Sequence, residues 1–145
     1  MRPARTSRLL ATRQQEIWDV VAYPEHMPRW WPGIARMEGI NEDRFTQVLK
    51  TRRGKPVRAD FRVVASDPPW SQSWTQELRG TPFARVLRES TIELRLEPAD
   101  GGTLVTATQH QKLRGYSITG GFMVRRATVA KLAEALEGLA RITQS

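Results

Sequence analysis

The stretch TGGFMVRRATVAKLAEALEGLARI, residues 119–142, reads as one long amphipathic helix. At about 100° per residue, Phe122, Val129, Leu132, Ala133, Leu136, Leu139 and Ala140 fall on one side, while Arg126, Lys131, Glu134, Glu137 and Arg141 lie around the rest. Arg125 departs from that pattern. It projects near the middle of the apolar stripe, close to the helix start, where an unpaired guanidinium is too costly to bury. It therefore requires a partner, a ligand or water. A helix of this kind needs a sheet to lie on, and the space between the two is the expected place for function.

Upstream, a period of two replaces the helical period. Strands are predicted over 34–40, 45–52, 57–66, 70–79, 83–96 and 103–113, separated by turn residues such as Asn41-Glu42-Asp43, Gly54, Asp67-Pro68-Pro69, Gly80-Thr81-Pro82 and Asp100-Gly101-Gly102. Val57, Ala59, Phe61, Val63 and Ala65 alternate with polar neighbours, the mark of a sheet wet on one face. Trp70, Trp74 and Leu78 share one face of their strand. In 83–96 the even face carries Val86, Arg88, Ser90, Ile92, Leu94 and Leu96; in 103–113 Val105, Ala107, Gln109, Gln111 and Leu113 lie together. Both faces turn polar over half their length.

At the start, 5–11 is a strand candidate, and Thr12 with Gln15 forms a capping box for a helix whose buried side is Ile17, Trp18 and Val21. That helix stops at Tyr23-Pro24. A second short helical turn over 25–30 ends at Trp31-Pro32-Gly33. The order is thus strand, two short helices, six strands, one long helix: an antiparallel α+β arrangement in which the sheet curls around its helix.

With 145 residues and 39% hydrophobic content, one domain over 1–145 is expected. No apolar run approaches the length of a membrane span and no leader is evident, so a cytoplasmic protein is expected. The chain has 0 cysteines, which removes disulfides and thiolate chemistry. Its net charge of +8 and pI near 11.0 admit nucleic acid or an anionic surface as a partner, ranked below a small hydrophobic molecule. The densest basic group, Arg52, Arg53, Lys55 and Arg58 around Gly54, reads either as a solvated hairpin tip or as part of such a surface.

Four stretches resemble the START-like, or SRPBCC, superfamily, which includes polyketide cyclase/dehydrase-like proteins and pollen-allergen-like carriers. They are EIWDVV at 16–21, YPEHMPRWWPGI at 23–34, LEPADGGTLVT at 96–106 and ALEGLA at 135–140. The resemblance implies the helix-grip fold: a seven-stranded antiparallel curved sheet around a long C-terminal helix, two short helices after the first strand, and a lipophilic cavity between sheet and helix. Trp18, Trp30, Trp31, Pro32, Gly101 and Gly102 look like its structural signatures. Cavity residues vary among members, so no catalytic set transfers by motif.

Nucleotide-binding glycine motifs are lacking, and with them the expectation of a nucleotide cofactor; no other cofactor is expected. His26 and His110 lack metal-ligand spacing, so no metal is expected either. No G-x-S-x-G elbow occurs. What remains is an inward-facing polar set, Arg88, Ser90, Gln109, Gln111 and Arg125, beside Trp31, Phe61 and Trp74. Such a set suits an oxygenated hydrophobic ligand. In the competing reading the two arginines reach solvent and pair with carboxylates such as Glu89, Glu93 or Asp19, and the glutamines satisfy one another. A binder of a polyketide-, lipid- or isoprenoid-like molecule leads. A polyketide aromatase/cyclase, drawing a proton carrier from Tyr116, His110 or Asp60, comes second. A module binding RNA, ribosome or a membrane surface through its basic face comes third. Ligand identity, turnover and oligomeric state stay open.

Overall fold

The computed structural model describes residues 2–115 and 118–144. Strand β1 (Ala4–Leu10) leads into helix α1 (Gln14–Val21), a 3-10 turn (Pro24–His26) and the single turn α2 (Met27–Trp30). Then come β2 (Ile34–Glu38), β3 (Arg44–Leu49), β4 (Val57–Asp67), β5 (Ser71–Glu77), β6 (Leu87–Ala99), β7 (Gly102–Leu113) and helix α3 (Ile118–Thr143). The seven strands form one antiparallel curved sheet in the order β1-β7-β6-β5-β4-β3-β2. From β2 to β7 the sheet is a plain meander, so successive connections alternate between its two ends. The segment carrying α1 and α2 takes the chain from one sheet edge to the other.

Helix α3 lies across the sheet, against β1 and β7, and meets α2 near its C-terminal end. Leu132, Ala135, Leu136, Leu139 and Ala140 are buried there among Leu94, Leu96, Val105 and Ala107 of the sheet and Ile17 and Val21 of α1. A clasp of hydrogen bonds fixes this end. Thr103 Oγ1 donates to the Thr12 carbonyl at 2.7 Å, Thr12 Oγ1 to the Thr143 carbonyl at 3.3 Å, and the Ala11 amide to Gln144 Oε1 at 2.8 Å. Thr12 therefore ties three segments together and makes no side-chain cap, which corrects the capping box expected from Gln15; the residue preceding α1 is Arg13.

Other expectations are corrected as well. Phe122 and Ala133 face solvent and Thr128 and Ala135 are buried. Contact with α2 sets this phase, because Gly138 lets the Trp30 backbone approach so closely that a Cβ there would stand 2.4 Å from the Trp30 oxygen. Residues 83–85, the start of the strand expected over 83–96, lie instead in the 3-10 turn Pro82–Arg85. Trp70 sits in the turn before β5 and is exposed, so it does not share the inward face of Trp74. On the outer face Val48 is buried between its cross-strand neighbours Arg36 and Arg58. Both arginines pair with Glu38, whose carboxyl the Arg58 hydrogen bond holds below its usual range.

Gly138→Ala is expected to lower stability by about 1–3 kcal/mol through overpacking against α2. Thermal unfolding should show a fall of several degrees, while Glu137→Ala, exposed on the next position, stays near neutral. Thr103→Val deprives the Thr12 carbonyl of its donor inside the core and is expected to cost about 1–3 kcal/mol in denaturant titration.

Candidate functional site

Between the sheet and α3 the lining changes from one end to the other. Beneath the C-terminal half of the helix it is aliphatic and closed. Toward β3, β4 and β5 it becomes an aromatic wall. Phe45 and Phe61 are cross-strand partners on β3 and β4, and their rings stack at 5.3 Å. Trp74 of β5 lies edge-on to Phe45 at 6.3 Å and to Trp31 at 6.0 Å, and Trp31 is edge-on to Trp30 at 5.5 Å. Such offset and T-shaped contacts are the preferred aromatic geometries. On its other side the wall backs onto a surface cleft of about 300 Å³ bordered by Trp30, Trp31, Lys50, Glu134 and Arg141.

Under the N-terminal half of α3 the lining is polar. Ser90 of β6 is 2% exposed and accepts a hydrogen bond from Gln109 Nε2 of β7 at 3.0 Å. Gln111, paired with Ser90 in the β6/β7 register, accepts from Thr128 Oγ1 of α3 at 3.1 Å. The same hydroxyl lies 2.9 Å from the Val124 carbonyl, so its one proton is shared between two acceptors. Sheet and helix are thus stitched by a short polar ladder. Gln109, Gln111 and Gln76 face inward yet stay partly exposed, so solvent reaches the inner face at the β7–α3 end of the sheet.

Among the described residues three buried side-chain polar atoms have no hydrogen-bond partner in the protein: Trp74 Nε1, Trp30 Nε1 and Gln72 Oε1. Each such atom costs about 1–3 kcal/mol relative to a satisfied one. Gln72 and Trp74 occupy alternate positions of β5 and share its inner face.

Of the residues expected to bind a ligand, Ser90, Gln109 and Gln111 come together in the ladder, and Trp31, Phe61 and Trp74 come together in the wall. The two arginines join neither group. Arg88 is exposed, because the β6/β7 register shifts between Leu87 and Glu89 and turns it off the inward face, which corrects its predicted facing. Arg125 is half-buried and donates through Nε to the Pro3 carbonyl at 3.2 Å; a main-chain oxygen ahead of β1 supplies the partner its helical position demanded. Sequence reasoning missed Thr128 and Gln72. Thr128 was legible as the one hydroxyl on the line Val124, Thr128, Leu132, and Gln72 as the inward neighbour of Trp74.

Among the described residues no three of His, Asp and Glu are gathered as metal ligands would be. His110 is exposed, and His26 sits half-buried with Nδ1 3.2 Å from the Val20 carbonyl. Asp60 bonds Thr46 on the outer face. Tyr116 lies outside the described residues.

No relative among curated protein sequences matches the chain. Several solved structures share its fold. The di-domain aromatase/cyclase StfQ of the steffimycin biosynthetic pathway superposes with a TM-score of 0.78 at 15% identity, over 98% of this chain and 50% of that one, so this chain spans half the length of StfQ. Zhui aromatase/cyclase from Streptomyces sp. R1128 gives 0.77 at 14% identity, over 99% and 93%. A conserved protein from Geobacillus kaustophilus gives 0.78 at 17% identity, over 98% and 95%. At these identities the likeness is one of fold. The sequence itself matches, over residues 1–143, the family model described as polyketide cyclase / dehydrase and lipid transport, and the chain belongs to that family.

Proposed function

We propose that this protein binds a small lipophilic, partly oxygenated molecule of polyketide, lipid or isoprenoid type between the sheet and the N-terminal half of α3. One observation carries the reading: Trp74, 1% exposed in the middle of an aromatic wall, keeps an indole N–H with no protein acceptor. A flat or branched apolar guest lies against Trp31, Phe45 and Phe61 and offers an oxygen to that N–H. Ser90, Gln109, Gln111 and Thr128 then serve further hydroxyl or keto groups, since amides and hydroxyls both donate and accept. Arg88 and Arg125 stand outside this contact set. The family description, with its pairing of cyclases and lipid transport, supports the same class of guest.

A cyclase-type reaction is the second reading, supported by the same description. Folding a poly-keto chain against the aromatic wall suits the geometry, but enolisation or dehydration needs a proton carrier beside the guest. Among the described residues, His110 is exposed and Asp60 lies on the outer face, and the hydroxyls and amides of the ladder are poor bases at neutral pH; Tyr116 is outside the described residues. Binding is therefore the function the site supports best.

Native mass spectrometry of the purified protein is expected to reveal a co-purifying small molecule. A hydroxynaphthoquinone, as a two-ring oxygenated probe, should quench tryptophan fluorescence saturably. Trp74→Phe keeps the ring and removes the donor, so affinity should fall about threefold to tenfold, the worth of one hydrogen bond. Ser90→Ala with Gln109→Leu should add a comparable loss. An absence of both adduct and saturable quenching would count against the reading; quenching unchanged in Trp74→Phe would remove the indole from it.

A further inference from the structure

The alternation of connections in the meander gathers the β3–β4 hairpin, the β5–β6 connection, the β7–α3 connection and the first turns of α3 at one end of the sheet. Their charge is one-sided. Residues 50–58 hold five cations, 78–88 three and 112–126 four; these are twelve of the 23 lysines and arginines, with none of the 15 carboxylates. Most are free. Arg58 pairs with Glu38, Lys112 with Glu89, and Arg125 with the Pro3 carbonyl; the other nine are exposed and form no ion pair, among them Arg52, Arg53, Arg85, Arg88, Arg114 and Arg126. At the opposite end the β2–β3, β4–β5 and β6–β7 connections carry Glu42, Asp43, Asp67 and Asp100. The molecule is strongly dipolar along its strands.

The same cationic end carries exposed apolar side chains. Met123 is 65% and Phe122 59% exposed, the two highest values among the large hydrophobic residues that remain exposed, and Val57 and Val86 join them. Met123, Val57 and Val86 are aliphatic and contribute nothing to phosphate contacts or base stacking; Phe122 alone of the four has a ring that could stack on a base. In a bilayer interface they enter the boundary below the headgroups while surrounding cations meet anionic lipid, and the two terms reinforce each other. Separate connections projecting from one end of a sheet also suit a planar partner.

We propose that this end docks on anionic lipid bilayers, with Phe122 and Met123 inserted and the free arginines of the three connections on the headgroups. The docking stands on charge and exposure alone, and it goes beyond the ligand reading. It adds a consequence where that reading holds: Gln109 and Gln111 are partly exposed toward this end, so a lipophilic guest held beside them passes from bilayer to protein without crossing water.

Co-sedimentation of the full chain, with no ligand added, tests the docking using vesicles of phosphatidylcholine alone and with about 30% phosphatidylglycerol. Binding is expected to the anionic vesicles and to weaken as salt rises. Arg52→Glu with Arg53→Glu should lower affinity at least about tenfold, since each interfacial cation is worth about fivefold. Phe122→Ser with Met123→Ser should do the same, Phe122→Leu should retain binding, and all variants should melt like the parent because the altered side chains are exposed. No sedimentation with anionic vesicles at low salt overturns the proposal. So does anionic binding that ignores Phe122→Ser with Met123→Ser and is displaced by a short RNA, which would assign this end to a nucleic acid instead.

Discussion

The close approach of two backbones at Gly138 governs more of this structure than any single side chain. Because that residue has no Cβ, the Trp30 carbonyl rests directly on α3, and α2 is held at a fixed height above the sheet. Trp31 follows at once, and its ring is thereby delivered to Trp74 on β5. The aromatic wall is assembled from two distant parts of the chain by one missing methyl group. The same contact sets the rotation of α3, which brings Thr128 over Gln111 and sends Phe122 to solvent.

The space so framed is built unevenly, and the unevenness has a physical sense. Under the C-terminal half of α3 lie aliphatic packing and the clasp of hydrogen bonds around Thr12, Thr103, Thr143 and Gln144. Under the N-terminal half, amides and hydroxyls take the place of leucines, and in the middle of the sheet Trp74 Nε1 is left buried without a protein partner. Folding alone would favour replacing those groups with hydrocarbon, because unsatisfied burial is a net cost. Polar groups kept there against stability are what recognition of a polar guest requires.

The order of elements along the chain, the strand number and the position of the long helix were legible in the sequence because alternation and helical periodicity are strong over long segments. Ser90, Gln109 and Gln111 were found by the same alternation carried to strand ends. It failed where a local event intervened. One register shift beside Leu87 turned Arg88 outward, and no periodicity argument can see a bulge before the pairing is known. Arg125 was correctly read as needing a partner, yet the Pro3 carbonyl lies 122 positions away in the chain and no local pattern could name it. Thr12 shows the same limit: its spacing to Gln15 resembles a cap, while its hydroxyl is used by the far end of α3. Tertiary demand overrides local motif at each of these positions.

The clasp at the end of α3 has a further consequence for local stability. It secures the last turns through buried leucines and hydrogen bonds to Ala11 and Thr12 after β1, whereas the first turns carry exposed Phe122 and Met123 and are tied down through Thr128 and Arg125. Local opening free energy scales with the contacts broken, so the two halves of this helix belong to different cooperative units. The first turns are expected to open at a fraction of the global unfolding free energy, with the core intact. Amide hydrogen exchange along this one helix therefore grades from fast to slow toward its C-terminus, and access to the polar ladder runs through the least stable part of the fold.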